Sequence, residues 1–161
     1  MRSTFIFGFL MLITSFVSCQ RITNFAEAGS NFMKLYYSTF DSTLTRKNLQ
    51  DLYEINNSIV IYGGDIFFAV DKIMERLSSV PNIIQRNISS TDYQPTNDAG
   101  VIVNVFGKIL TNEINANSTY FTEMFVLKPK VTAFYIQNQQ YRQSSLITSA
   151  NNLSEGLRFV S

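Results

Sequence analysis

The side chains of this sequence that could do acid–base chemistry are carboxylates, tyrosines and lysines, because the chain has no histidine and only one cysteine. Ser–His–Asp and Cys–His catalysis are therefore excluded, and ordinary zinc or haem sites lack their usual ligands. The isolated pair Gly63-Gly64 is typical of a turn or bulge between strands rather than of a phosphate-binding loop. We therefore predict no metal site and no cofactor.

Five residues could enter an interior cavity and act there as acid or base: Asp92, Glu123, Tyr36, Tyr62 and Tyr93. A carboxylate buried among apolar side chains has a raised pKa and can serve as a general base. The alternative is that all five are surface or helix-packing residues, and Asp92 stands just before a turn, where aspartate is common. Because no spacing fixes a catalytic constellation, we assign no catalytic residue.

The first twenty residues have the order of regions that is typical of a secretory signal peptide. Arg2 supplies a positive charge, an uncharged and mostly apolar run extends from Phe5 to Val17, and small residues close it at Ser18 and Cys19. The alternatives are a membrane anchor, for which this run is shorter than the roughly 20 residues needed, a buried helix, or a lipoprotein acylated at Cys19. The pattern predicts a signal peptide over residues 1–19, cleavage before Gln20 and a secreted protein that stays off the membrane.

The charge of the chain is balanced, with 13 basic and 12 acidic side chains, and loss of Arg2 would make the two numbers equal. No basic run with interleaved aromatic residues is present. A neutral chain has no general attraction for a phosphate backbone, so we predict no nucleic-acid partner.

Four Asn-X-Ser/Thr sequons are present in the chain, at Asn56, Asn87, Asn117 and Asn152. Their number is close to what chance gives in this composition, so they are no evidence of secretion by themselves. If the chain is secreted they become N-glycosylation candidates, and Asn117 is the first choice because it falls in a predicted loop.

Hydrophobic periodicity predicts helices early in the chain and long strands later. Apolar residues recur at three- and four-residue steps from Phe25 to Phe40, and Asn24 with Glu27 forms a capping box. Shorter helices are predicted over 46–53 and 69–77, on either side of a strand over 58–62. From residue 82 the period is two, and 101–106 alternates between two faces. Helices followed by long antiparallel strands indicate the α+β class.

Seven apolar residues on the predicted helices and strands point to the interior: Phe32, Tyr36, Phe40, Ile73, Leu77, Phe125 and Leu127. They could line an open cavity that binds a small apolar ligand. The alternative, which we rank above the cavity for any single residue, is a filled hydrophobic core.

Several strings in this order resemble the nuclear transport factor 2-like family. NFMKLYYSTFD is similar to its first helix, DLYEINNSIVIYGG to its second helix and first strand, and TEMFVLKP with FYIQNQQYR to its last strands. The resemblance runs from Phe25 to Arg142 and implies a cone-shaped fold, with three helices packed on a curved antiparallel sheet. We place the domain at residues 20–143 and a polar C-terminal tail at 144–161.

The resemblance implies several possible functions, because family members include a carrier that binds GDP-bound Ran and Phe-rich nuclear pore repeats, peptide-binding domains, and cavity enzymes. Ran-binding members have an acid directly after the aromatic residue that ends the first strand, where this chain has Gly63, with Asp65 two residues later. They also have several acids after the central strand, where this chain has Asn112, Glu113 and Ile114. Charge pairing with a basic switch region needs those carboxylates, so Ran is an unfavoured partner.

The family forms homodimers through the open face of the sheet. On this chain the face is expected to present Ile102, Asn104, Phe106 and Gln140. Since isologous interfaces tend to have an apolar centre, this mixture of residues predicts a weak homodimer.

From the sequence alone we favour a secreted, non-enzymatic binding domain for a peptide or protein partner or a small apolar ligand. The alternative is an intracellular nucleocytoplasmic transport factor that acts in cytoplasm and nucleus, with nucleoporin and Ran binding. A second alternative is a cavity-based isomerase or dehydratase.

Overall fold

The computed structural model describes residues 24–113, 118–131 and 133–144. The predictions made for the leader over 1–19, for the tail beyond Ser144, and for Asn117 and Asn152 lie outside these residues. The described elements are α1 (Phe25–Phe40), a 3₁₀ helix (Arg46–Leu52), β1 (Ile59–Tyr62), β2 (Asp65–Phe68), α2 (Val70–Ser78), β3 (Ile83–Pro95), β4 (Val101–Thr111), β5 (Thr119–Lys130) and β6 (Ala133–Ser144). The α+β prediction, with three helices packed on a curved sheet, is confirmed.

The six strands form one sheet in the order β2-β1-β6-β5-β4-β3. Four of the five strand pairings are antiparallel. The fifth joins β1 to β6 in parallel, from Ile59 opposite Asn138 to Tyr62 opposite Tyr141. The sheet is therefore mixed, where the sequence predicted an antiparallel one. The reason is topological, because the chain leaves β1 through a hairpin and returns to its other edge only after three further strands.

Helix α1 begins and ends at the predicted residues. The side chain of Asn24 accepts a hydrogen bond from the backbone N–H of Glu27 at 3.3 Å, as a capping box requires. Its buried stripe includes Phe32, Tyr36 and Phe40, and Tyr36 stacks on Phe40 with ring centroids 5.7 Å apart. The stripe thus presents a row of aromatic rings to the sheet.

Strand β4 separates the two faces of the sheet. Val101, Val103 and Val105 are at most 3% exposed and face the helices. The intervening side chains belong to the other side, which we call the open face and define by Ile102, Asn104, Phe106, Thr122, Met124 and Gln140. The predicted alternation over 101–106 is confirmed.

The loop between β1 and β2 consists of Gly63 and Gly64 alone, because Tyr62 and Asp65 are paired. Their φ angles are +66° and +115°, a left-handed backbone that glycine adopts readily and that suits a two-residue hairpin. The predicted glycine turn is therefore a tight hairpin, and the short strand β2 that follows it was not predicted.

Candidate functional site

A buried polar cluster lies between the helices and the sheet, centred on Glu123 of β5, which is 5% exposed. Its Oε2 accepts a hydrogen bond from the Tyr37 hydroxyl at 3.0 Å, and its Oε1 accepts one from Nε2 of Gln139 at 2.6 Å. The same Nε2 also donates to the Tyr36 hydroxyl at 2.6 Å, while the Tyr53 hydroxyl donates to Gln139 Oε1 at 2.6 Å. Helix, 3₁₀ helix and sheet are thus joined by side-chain hydrogen bonds.

Burial favours the protonated form of Glu123. Burial raises the pKa of this carboxyl to about 7, although the charge of Arg86 and the hydrogen bonds from Gln139 and Tyr37 act in the opposite direction. Burial also raises the pKa of Tyr36 and of Tyr37 well above the ordinary tyrosine value, and the negative charge of Glu123 adds to the effect on both. These tyrosines therefore remain neutral hydrogen-bonding groups.

Arg86 of β3 is the buried cation next to this cluster. Its Nε donates to both carboxylate oxygens of Asp41, and Nη2 lies 2.5 Å from Asp41 Oδ1. The guanidinium lies over the ring of Tyr37 at 4.0 Å and near that of Phe121 at 4.9 Å. Burial opposes its charge, but the hydrogen bond to Asp41 and the charges of Glu123 and Asp41 outweigh burial and raise the pKa of Arg86.

A second buried arginine, Arg46 at the start of the 3₁₀ helix, is 1% exposed and holds the ends of both α-helices. Its Nε donates to the Phe40 carbonyl at 2.6 Å, and Nη1 donates to the carbonyls of Leu77, at 3.1 Å, and Val80. Nη2 donates to the Pro81 carbonyl at 3.2 Å. These contacts satisfy carbonyl oxygens at helix ends, so the role of Arg46 is structural.

The five acid–base candidates do not form one site. Glu123 and Tyr36 both bind Gln139, whereas Asp92 is exposed and paired opposite Asn104 of the open face. Tyr93 lies against Gly29 of α1, and Tyr62 lies at the end of β1. Sequence reasoning missed Tyr37, Tyr53, Arg46, Arg86 and Gln139. Both oxygens of Glu123 are already bound by protein side chains, so the cluster is organised as packing rather than as a catalytic centre.

The seven residues predicted to line a ligand cavity all lie in the hydrophobic core. Phe32 is 7% exposed, Phe40 is 4% exposed, and Tyr36, Ile73, Leu77, Phe125 and Leu127 are fully buried. The surface pockets described here are lined by other residues. An apolar ligand among the seven stays a prediction.

A pocket of about 250 Å³ opens where β1 and β4 end, and we call it the mouth pocket. Its lining residues are Tyr62, Arg76, Val80, Pro81, Ile83, Ile109, Thr111, Glu113, Thr119 and Gln143. The guanidinium of Arg76 lies 4.2 Å from the ring centroid of Tyr62. Gly63 and Asn112, the positions at which the resemblance implies acids for Ran binding, directly follow the lining residues Tyr62 and Thr111.

The four predicted dimer residues lie on the open face. A shallow depression of about 310 Å³ is lined there by Asn104, Phe106 and Gln140, together with Asp92 and Met124. Phe106 is 39% exposed, and at the far end of the same sheet Ile66 is 57% and Phe68 is 60% exposed. Gln139, the neighbour of Gln140 on β6, points inward into the polar cluster.

Of the four sequons, Asn56 and Asn87 fall within the described residues, and both are exposed. Asn56 lies in the turn before β1, while Asn87 lies on β3. Among the described residues no group of acids and cysteines is arranged to hold a metal ion, and no helix of that part of the chain could span a bilayer.

Comparison with known proteins places these features in a family. Residues 28–143 match the nuclear transport factor 2 (NTF2) domain. The protein named nuclear transport factor 2 from Schizosaccharomyces pombe is 32% identical over 123 residues, covering 75% of this chain and 97% of that protein. Its namesake from Davidiella tassiana is 30% identical over 123 residues, covering 75% and 95%. A solved nuclear transport factor 2 from Cryptosporidium parvum superposes with a TM-score of 0.67 at 26% identity, covering 76% of this chain and 96% of that one.

These relatives correct the functional prediction. The prediction of a secreted binding domain is wrong, and so is the extracellular location that went with it. The match covers nearly the whole length of relatives that are named nuclear transport factor 2. The transport-factor alternative fits better. The relatives are not enzymes, which confirms the non-enzymatic prediction and removes the isomerase or dehydratase alternative. The chain belongs to the nuclear transport factor 2 domain family.

Proposed function

We propose that this protein acts in nucleocytoplasmic transport as a homodimer that carries or tethers a partner. The observation that supports this most directly is the extent of the family match, which covers residues 28–143 and 95–97% of the length of two relatives named nuclear transport factor 2. Because fold alone does not assign function, the proposal also depends on the mouth pocket and the open face.

The mouth pocket is the proposed partner site. Its charge differs from that of the acidic site that the resemblance implies for Ran-binding proteins. Its charged lining residues are Glu113 and Arg76, whose opposite charges give the pocket no net charge. A basic switch segment entering here would meet Arg76 and would find no acid at Gly63 or Asn112. Close charge pairs across an interface are each worth about 1.5 kcal/mol or more. We therefore expect GDP-bound Ran to bind this protein at least ~10-fold more weakly than it binds the S. pombe relative.

Isothermal titration calorimetry with GDP-bound Ran and with a Phe-rich nucleoporin repeat peptide tests this proposal. The S. pombe relative is the positive control, and the variant N112D/R76Q restores the expected sign of charge at the mouth. Gly63 is left unchanged, because its φ of +66° strains any other residue. We expect repeat binding by wild type and variant alike, and measurable Ran binding gained by the variant but not by a Lys47→Gln control on the exposed 3₁₀ surface. Failure of the wild-type protein to bind either ligand would refute a transport role.

The open face is the proposed dimer surface. Ile102, Phe106 and Met124 provide apolar contact area around the polar Asn104 and Gln140. Because an isologous interface uses the same surface of both subunits, a single charged substitution on this face introduces two like charges into the interface. We expect Phe106→Asp to shift sedimentation from dimer to monomer. Leu44→Asp, at a residue that is 84% exposed in the turn between α1 and the 3₁₀ helix, should leave it unchanged. A monomeric wild-type protein at tens of micromolar would contradict this interface.

A further inference from the structure

A groove of about 490 Å³ runs between α1 and β3, on the other side of the sheet from the open face. We call it the α1–β3 groove and define it by Ser30, Met33, Lys34, Tyr37, Ser38, Asp41, Arg86, Ile88, Thr91 and Tyr93. Its walls are mostly apolar, with Ile88 46% exposed at the rim. The dimer surface and the mouth pocket proposed above share none of these residues.

The charge in this groove is positive and incompletely paired. Asp41, the one acid of the groove, is already bound by Nε and Nη2 of Arg86. The remaining guanidinium nitrogen, Nη1, is buried without a hydrogen-bond partner among the described residues, on a side chain that is only 6% exposed. Lys34 is exposed at the rim and makes no ion pair with the described residues. Nη1 is itself closed off from the surface, so the accessible donor in the groove is the ammonium of Lys34. Lys34 and Arg86 together outweigh the single charge of Asp41, and this net positive charge favours an acidic ligand.

The strand that forms one wall of the groove is the end strand of the sheet. β3 is thirteen residues long, and its only strand neighbour in the described part of the chain is β4. Residues 84–95 make no backbone hydrogen bond to any described residue outside the sheet pairing. Exposed edges of this length are normally shortened, charged or covered in soluble proteins. An unpaired edge next to an apolar groove is the geometry used in strand addition.

We propose that the α1–β3 groove binds an extended acidic–apolar peptide segment of a partner protein, added along the edge of β3. Its carboxylate pairs with Lys34 and is attracted by the charge of Arg86, and an apolar side chain packs on Met33, Ile88 and Tyr93. Alternate residues of a strand face the same side, so the acidic and apolar residues are two positions apart. A second copy of this chain is a less favoured partner. Pairing of two β3 edges would bring the two Lys34 side chains toward each other, and their like charges repel.

Selection from a random nine-residue phage-displayed peptide library against the full chain tests this proposal without a known partner. Binding of each selected peptide is then measured by fluorescence anisotropy on four variants. Lys34→Glu and Ile88→Asp alter the groove, while Lys47→Glu and Leu44→Asp make the same changes at exposed residues outside it. All four are surface substitutions, and Arg86 is kept because it also binds Asp41.

We expect selected peptides to contain Asp or Glu with an apolar residue two positions away, and to bind the two groove variants at least ~10-fold more weakly than the two controls. Amide hydrogen exchange of residues 84–95 should slow when the peptide is bound. The proposal is overturned if no peptide is enriched, if enriched peptides lack an acid, or if they bind Lys34→Glu as tightly as wild type. Protection of the open face instead of β3, or self-association of the chain along the β3 edge, would overturn it as well.

Discussion

Replacing Glu123 by glutamine should stabilise the protein at neutral and basic pH, and the gain should disappear in acid. In the folded protein the pKa of Glu123 is raised from 4.5 to about 7. Between these two values the unfolded chain releases the proton while the folded protein retains it. The favourable contribution of the protonated carboxyl is therefore fully present below pH 4.5 and is lost as pH rises through 7.

The size of the effect follows from the same two values. A pKa raised from 4.5 to about 7 corresponds to ~3 kcal/mol of lost stability at pH well above 7, with a steepest slope of ~1.4 kcal/mol per pH unit between them. Glutamine has the shape of glutamate and no charge. The hydroxyls of Tyr36, Tyr37 and Tyr53 can rotate and the amide of Gln139 can flip, so the hydrogen bonds of the cluster can be kept.

Urea denaturation of wild type and Glu123→Gln, followed by circular dichroism at pH 5, 6, 7 and 8, measures this difference. Glu75→Gln is the matched control, because that side chain is 71% exposed and its ion-pair partner among the described residues, Lys72, is exposed as well. The free energy of unfolding of wild type should fall relative to Glu123→Gln by ~2.5 kcal/mol over this range, since part of the loss has already occurred at pH 5. Glu75→Gln should run parallel to wild type. Parallel curves for Glu123→Gln would show that Glu123 is ionised at low cost and that its burial has been misjudged.

Two further substitutions test the packing of the cone. Arg46→Met removes the donors to the carbonyls of Phe40, Leu77, Val80 and Pro81, and should lower the free energy of unfolding by ~3–5 kcal/mol in the same urea titration. Lys47→Met, at an exposed neighbour, is the control and should change the free energy of unfolding by less than ~0.5 kcal/mol. Gly29→Ala should destabilise the protein by ~1–3 kcal/mol, because the new Cβ would lie 2.6 Å from Cδ1 of Tyr93. Alanine favours helices, so an increase in the thermal midpoint would mean that the ring of Tyr93 moves freely.

The sequence predicted the elements that depend on local signals. Helix α1 has a capping box and a stripe of apolar residues, and the structure begins and ends it at the predicted residues. The alternation of β4 needs only the period of two. Pro129 shows the limit of such signals: proline is typical of turns, yet Pro129 is part of β5 and lies opposite Phe134. A proline is compatible with a turn or with a strand end, and the pairing partner decides between them.

Features that depend on tertiary contacts could not be predicted. The parallel pairing of β1 with β6 joins segments 79 residues apart, for example Ile59 with Asn138. Arg86 faces inward because register shifts precede and follow it on β3, which breaks the period that a sequence shows. For Glu123 a signal existed, because it shares the inward parity of Phe121, Phe125 and Leu127, and a charge at such a position indicates either a site or a buried network.

The buried polar cluster is one reason why the proposed functions lie on surfaces. To admit a ligand between the helices and the sheet, the protein would have to break the hydrogen bonds that join Tyr53, Gln139 and Glu123. Each such bond contributes about 1 kcal/mol net, and leaving its buried partners unsatisfied costs ~1–3 kcal/mol per group. A ligand would have to offset this cost before gaining any affinity. Partners at the mouth pocket, the open face or the α1–β3 groove meet no such cost, because these surfaces exist before binding.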